Sequence, residues 1–281
     1  MMRGLDDKLY DKIHIKNLEI FANHGVFPEE NRLGQKFVVS LTLYLNTRPA
    51  GKTDDLKESV NYGEVSSFVT TYMKEHTFQL IEAAAEHLAE ELLLRYPLLE
   101  GVTLELQKPW APVGLPLETV SVEITRFWHR AYLGLGSNLG DKKGYLDQGV
   151  AALNETRGCQ VENVSSYLVT EPYGGVEQDD FLNACLILKT LLSPHELLER
   201  LHEIEQAAHR ERIIHWGPRT LDLDILLFDD EIVEMDDLMI PHVEMHLREF
   251  VLKPLAEIAP YKRHPIYQKT VARLLAEISC T

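Results

Sequence analysis

The sequence is poor in the features that mark secreted, membrane-spanning or nucleic-acid-binding chains. Of 281 residues only three are cysteine, Cys159, Cys185 and Cys280, and no C-x-x-C occurs. That usage fits a reducing compartment and excludes a disulfide frame or a cysteine zinc site. No apolar run approaches the ~20 residues that cross a bilayer. The opening M-M-R-G-L-D-D-K lacks the apolar centre of a signal peptide. A soluble, cytoplasmic protein is expected. Cations are outnumbered, 28 Lys and Arg against 44 Asp and Glu, and the formal charge of −16 repels nucleic acid and anionic membranes. G-x-x-x-x-G-K-[ST] is absent, so any nucleotide chemistry has to proceed without a P-loop. No internal repeat, low-complexity tract or Gly/Ser/Pro-rich linker interrupts the chain.

What is present is ordinary globular composition, 45% hydrophobic and 26% charged, with length for one large domain or two ordinary ones. Residues 13–21 and 37–46 alternate as strands, joined by a polar loop or hairpin connection over 23–35. Val65, Phe68, Val69 and Tyr72 recur at helical spacing and predict a helix over 62–75. A second helix runs from about 80 to 95 and stops at Pro97. Strands follow around 102–106 and 120–124. This ββααββ order favours an antiparallel sheet with helices on one face, an α+β arrangement. Near residue 128 the pattern restarts, giving two domains, 1–128 and 129–281. The second reads as a strand (131–135), a helix (142–156), strands over 161–170 and 181–191, and a helix opened by Ser193-Pro194-His195-Glu196. That tetrad is a capping box with proline at the first helical position. A strand around Asp222 and a helix over 270–278 complete it.

The most informative stretch is H-W-G-P-R-T-L-D-L-D-I-L-L-F-D, residues 215–229. Strand alternation there puts Asp222 and Asp224 on one face, roughly 6.5–7 Å apart. Such a pair is either solvated at a strand edge or holds a hard divalent cation, Mg²⁺ above all. Arg210, Arg212 and Arg219 make residues 209–219 a locally basic stretch on an acidic chain, suited to a small anionic ligand. Gly134-Leu135-Gly136-Ser137-Asn138-Leu139-Gly140 does not match G-x-G-x-x-G and reads as a tight turn. His242 and His246 lack the glutamate placement of a zinc protease, and His242 after Pro241 suits a phosphate. Glu82, Glu86 and Glu90 stack at i, i+4 intervals, either as a solvated acidic face or with Glu82 turned into a pocket. Lys108, before Pro109-Trp110-Ala111-Pro112, is either an exposed strand-end lysine or a proton acceptor beside a ligand.

Four blocks in the first half, H-G-x-x-x-x-E-N-x-x-G-Q from His24 to Gln35, V-N-Y-G-E-V from Val60, L-I-E-A from Leu80 and Q-K-P ending at Pro109, resemble the dihydroneopterin aldolases. The resemblance implies a tunnelling fold, ring oligomers with sites between subunits, and retro-aldol cleavage of dihydroneopterin to hydroxymethyl-dihydropterin and glycolaldehyde without a cofactor. It implies that Glu82, with Ile81 and Val60, holds the pterin, that Lys108 moves protons through a water, that Tyr62 assists protonation, and that Glu30 contacts the diol. The second half carries G-S-N-L-G from Gly136, T-E-P-Y-G from Thr170, F-L-N-A from Phe181, R-x-R at Arg210 and Arg212, W-G-P-R-T-L-D-L-D-I from Trp216 and I-P-H ending at His242. These resemble the hydroxymethyl-dihydropterin pyrophosphokinases and imply a ferredoxin-like α+β domain. The implied reaction moves a pyrophosphoryl group from ATP to hydroxymethyl-dihydropterin with release of AMP.

Two Mg²⁺ ions would then sit with ATP on Asp222 and Asp224. Arg210, Arg212, Arg219, His242, Arg248 and Ile225 would hold ATP, with Arg210 and Arg219 also catalytic. Thr170, Tyr173, Phe181, Asn183, Trp216 and Phe250 would frame the pterin. Phe181 and Val243 stand where that family often has tyrosine, each removing one hydroxyl. Two other readings compete: a pteridine-binding or oligomerising scaffold in one half, and an unrelated Mg²⁺ phosphohydrolase built on the D-x-D.

Overall fold

Two apolar strands dictate the first half of the chain. In a computed structural model, which describes residues 10–171, 179–208 and 220–279, the chain divides into two units, Met1–Trp128 and His129–Thr281. In the first, β1 (Asp11–Ala22), β2 (Gln35–Leu45), β3 (Gly101–Lys108) and β4 (Val120–Phe127) form one antiparallel sheet in that order. Helices α3 (Tyr62–Glu75) and α4 (Ile81–Arg95) fall between β2 and β3, which is the expected ββααββ order. Phe37, Val39, Leu41, Leu43 and Leu45 of β2 are buried, as are Val102, Leu104 and Leu106 of β3. Val65, Val69 and Met73 of α3 and Leu88 and Leu92 of α4 are buried too, the apolar stripes of amphipathic helices, with α3 packed on β1 and α4 on β3 and β4. Asn61 caps α3 by accepting from the Gly63 and Glu64 amides at 3.0 and 3.3 Å.

Two short helices were not anticipated. The connection over 23–35 contains α1 (Pro28–Leu33), started by a proline whose missing N–H costs nothing at a first helical turn. Helix α2 (Arg48–Thr53) likewise has proline in its first turn.

The second unit has strands β5 (His129–Ser137), β6 (Cys159–Val164), β7 (Leu168–Thr170), β8 (Phe181–Thr190) and β9 (Asp222–Phe228). The sheet order is β6-β8-β5-β9, all antiparallel, with β7 beside β8. Helices α5 (Lys142–Glu155) and α6 (Pro194–Ala207) cover one face, as the ferredoxin-like order requires. The other face packs against α7 (Glu249–Ile258) and α8 (Val271–Ile278). The expected single strand over 161–170 is broken in two. Ser165 leaves the ladder to donate from its amide to the Cys185 carbonyl, and its hydroxyl accepts from the Cys185 amide at 2.9 Å. The two-residue strands β10 (Val233–Glu234) and β11 (Met239–Ile240) pair with each other.

At its far end β9 is tied to the start of β5. Asp229 accepts from the Arg130 amide at 2.8 Å and lies 2.7 Å from His129 Nδ1.

A buried leucine on α4 tests how far the two cores are separate. Leu88→Ala removes a side chain that is fully buried, at an expected cost of about 2–5 kcal/mol. Hydrogen exchange should accelerate in β2, β3, α3 and α4 while protection of β5 and β8 is unchanged. Equal acceleration in both units would contradict separate cores.

Candidate active sites

The cleft of the second unit is built by strand register. Gly136 on the central strand β5 pairs with Asn183 of β8 on one side and with Asp222 of β9 on the other. Gly134 pairs in the same way with Cys185 and Asp224. Residues opposite one another in a sheet point to the same face. Each row therefore reads side chain, bare backbone, side chain. A Cβ added at Gly136 would stand 3.2 Å from Asn183 Oδ1. The glycines form the floor of a cleft with about 890 Å³ of open space. Only Gly140 of the G-x-G-S-N-L-G stretch sits in a turn, with φ of 58°. Gly134 and Gly136 belong to the strand, which bears out the strand expected over 131–135 and corrects the tight-turn reading for both. Their spacing of two, which empties one face of a strand, was the signal available.

The flanks of this cleft carry most of the residues expected there. Thr170, Phe181 and Asn183 lie on one side, Asp222 and Asp224 on the other, and His242, Arg248 and Phe250 also line it. Asn183 Nδ2 donates to Thr170 Oγ1 at 2.8 Å, so its Oδ1 faces the glycine floor. The His242 amide donates to the Leu226 carbonyl at 2.9 Å, and its Nδ1 accepts from the Glu244 amide at 3.2 Å. Arg248 pairs with Glu244, and its guanidinium carbon lies 5.7 Å from the Phe250 ring centre.

Asp222 and Asp224 are half-buried on the cleft face, whereas Leu221, Leu223 and Ile225 pack into the core under α5 and α6. The side chain of Ile225 thus faces away from the cleft, so only its backbone is available to the expected contact with ATP. Alternation decides this, since an odd-numbered residue here cannot share a face with the aspartates. Two carboxylates on one face, with bare backbone beside them, suit a hard divalent cation that retains water ligands. Tyr173, Arg210, Arg212, Trp216 and Arg219 lie outside the described residues. His246 serves elsewhere, its Nε2 meeting Tyr267 Oη at 3.1 Å.

In the first unit the focal point is a salt bridge. Lys108, at the end of β3, is 9% exposed, and its Nζ lies 2.6 Å from Glu30 Oε1. Of the two readings of this lysine, the exposed strand end is excluded. Gln35 Nε2 donates to the same Glu30 oxygen at 2.9 Å, and the Phe27 amide donates to Oε2 at 3.1 Å. Burial pushes the Glu30 carboxyl up, but the donors Lys108, Phe27 and Gln35 hold it below its ordinary value.

Each motif residue around Glu30 has a local task. Gly25, with φ of 152°, leaves the room that Glu30 occupies, since a Cβ there would stand 2.3 Å from Oε2. Asn31 Nδ2 donates to the Gly25 carbonyl at 3.1 Å. His24 is fully buried, accepts from the Phe78 amide at 3.2 Å, and is pushed down to about 4 by that burial.

Val60 is buried and Ile81 half-buried, while Tyr62 and Glu82 are exposed at the starts of α3 and α4. Among the described residues neither Tyr62 nor Glu82 bonds to Lys108 or Glu30. Glu86 of the acidic stack pairs with Arg126 instead of facing water alone. Among the described residues no helix is long and apolar enough to cross a membrane.

Comparison with known proteins matches both units. A family model for 7,8-dihydro-6-hydroxymethylpterin-pyrophosphokinase covers residues 132–260, and one for dihydroneopterin aldolase covers 13–125. The 2-amino-4-hydroxy-6-hydroxymethyldihydropteridine pyrophosphokinase of Bacillus subtilis is 50% identical over 128 residues, 46% of this chain and 77% of that protein. The folic acid synthesis protein FOL1 of Dictyostelium discoideum is 31% identical over 291 residues, spanning 94% of this chain and 44% of its own length. A crystal structure of E. coli dihydroneopterin aldolase in complex with neopterin is 30% identical, covering 41% of this chain and 98% of that one, with a TM-score of 0.39. The chain spans less than half the length of the longer relatives that it matches. Across residues 132–260 the chain belongs to the 7,8-dihydro-6-hydroxymethylpterin-pyrophosphokinase family, and the unit ahead of it, over 13–125, is a member of the dihydroneopterin aldolase family.

Proposed function

We propose that this chain carries out two consecutive steps of folate synthesis. The first unit cleaves dihydroneopterin to hydroxymethyl-dihydropterin and glycolaldehyde. The second transfers a pyrophosphoryl group from ATP to the pterin hydroxymethyl and releases AMP. The observation that carries the reading is the cleft itself, where Thr170, Phe181 and Asn183 face Asp222 and Asp224 across a floor of glycine backbone.

In the second unit Asn183 Oδ1 accepts an N–H of the pterin edge, and Phe181 and Phe250 flank a flat ring. His242 and Arg248 meet phosphate oxygens, with Arg210, Arg212 and Arg219 as further expected contacts, and Tyr173 and Trp216 complete the pterin frame. Asp222 and Asp224 hold Mg²⁺ with ATP. When bound, that metal neutralises the triphosphate and favours ionisation of the attacking hydroxyl. In the first unit Lys108 moves the proton through a water, and Glu30, 2.6 Å away, fixes where the amine sits. Glu82, with Ile81 and Val60, holds the pterin by its amino and ring N–H groups, and Tyr62 assists protonation. Exposure of Tyr62 (67%) and of Leu80 and Phe27 (53% each) supports a homo-oligomer in which subunits complete one another's pockets.

The two activities should separate by mutation. Asp224→Ala leaves one carboxylate at the metal position, a loss of several kcal/mol or about a thousandfold in AMP release. Glycolaldehyde release should persist, and a joint loss in a folded variant would refute two independent sites. A coupled assay with dihydroneopterin, ATP and Mg²⁺, following glycolaldehyde and AMP, reads both.

Lys108→Ala should lower aldolase turnover by about 10²–10⁴-fold with a smaller effect on pterin binding. The depressed Glu30 value means that its ion pair contributes fully above the ordinary carboxylate value of 4.5. That contribution is lost only as pH falls through the lower folded value. A wild-type aldolase profile that already declines between pH 7 and 6 through Glu30 protonation would contradict this. Weaker binding with unchanged turnover would make Lys108 a positioning residue.

Assembly gives a further check. Dilution, or substitution at the faces bearing Tyr62 and Leu80, should remove glycolaldehyde release, while AMP formation from supplied hydroxymethyl-dihydropterin survives. Sedimentation run beside both assays decides, and a monomer with full aldolase activity would overturn the shared pocket.

A further inference from the structure

Among the described residues, the strand that carries the aspartate pair lies at the edge of its sheet. One side of β9 pairs with β5, and among the described residues no strand follows it in the sheet order. Backbone donors on such an outer edge need partners from elsewhere. The Leu223 amide, which lies between Asp222 and Asp224, donates to Glu205 Oε1 at 2.7 Å. Glu205 sits in the last turn of α6, only 2% exposed, beside the buried Leu201 and Ile204. A carboxylate placed on the apolar face of a helix is costly unless it is hydrogen-bonded. Here a bond it makes reaches the peptide unit between Asp222 and Leu223, one of the two that separate the proposed metal-holding residues. Three residues along the same edge, the Leu226 carbonyl accepts from the His242 amide at 2.9 Å.

We propose that Glu205 is a positioning residue for the Asp222–Asp224 pair, an inference that rests on the metal-dependent transfer proposed above. It does not face the cleft. Leu223 points into the core shared with α6, and the aspartates point the opposite way. Glu205 therefore acts through the backbone. A turn of the Asp222–Leu223 peptide unit changes the backbone at Asp222 and Leu223 and so alters the direction of Asp222 relative to Asp224. The bond from α6 prevents that turn, as partners behind metal ligands commonly do.

Binding of Mn²⁺ in the presence of α,β-methylene-ATP, followed by loss of the free-ion EPR signal, tests this without turnover. In the full chain Glu205→Ala should weaken Mn²⁺ binding by about tenfold or more. Glu205→Gln should restore it, because an amide oxygen accepts the same N–H. Glu205→Asp keeps the acid but shortens its reach, and should weaken binding like the alanine variant. It serves as the second variant if Glu205→Ala does not fold, with thermal unfolding as the control. Wild-type Mn²⁺ binding in folded Glu205→Ala or Glu205→Asp would overturn the proposal. So would failure of Glu205→Gln to restore binding, since charge rather than the bond would then be at work. Asp224→Ala in the same titration keeps the two ideas apart. If it also leaves Mn²⁺ bound, the metal reading fails. If it alone weakens binding, only the role of Glu205 fails.

Discussion

A strand bearing two carboxylates, with no neighbouring strand on its outer side among the described residues, has to be held still by other means, and the second unit is arranged around that constraint. Strand β9 gains order from β5 along one edge and from scattered single bonds along the other. Asp229 ties its far end to the start of β5. A bulge in the β5–β9 register falls between the pairs at Tyr132 and Leu133. It lets Leu226 and Leu227 both pack toward α7 and α8, while Leu223 and Ile225 stay under α5 and α6. The strand thus serves both cores and still presents its acids to the cleft.

The first unit solves a related problem with a single carboxylate. Glu30 sits on a helix of six residues, too short to be stable alone. Its carboxylate is fixed by donors from three places in the chain: Phe27 in the preceding turn, Gln35 at the start of β2 and Lys108 at the end of β3. Charge-assisted bonds of this kind are about twice as strong as neutral ones. They fasten the loop to the sheet at the point where the lysine emerges.

Much of this was readable from spacing. The helix over 62–75 follows from Val65, Phe68, Val69 and Tyr72, and the capping box at Ser193 and Glu196 forms with its amide bonds at 2.8 and 3.4 Å. Asp222 and Asp224 share a face because strand alternation allows nothing else. What could not be read depended on contacts distant in sequence. Burial of Lys108 is set by Glu30, some eighty residues earlier, and the break at Ser165 by Cys185. Helix α7 was missed because Pro254 interrupts its pattern. The buried face it offers, Val251, Leu252 and Leu255, is defined only by the sheet it covers. Gly134 and Gly136 invited a loop reading because glycine more often marks a turn than an empty strand face.

Those two glycines have a consequence for how the site can change over time. A floor made of main chain has no rotamers, so its depth cannot be retuned by exchanging one side chain for a slightly different one. Any larger residue at position 136 meets Asn183 at once. Variation is thereby channelled to the walls, among them Phe181 and Phe250. A floor of peptide planes is flat, and its flatness is set by the main chain of β5 instead of by any side chain.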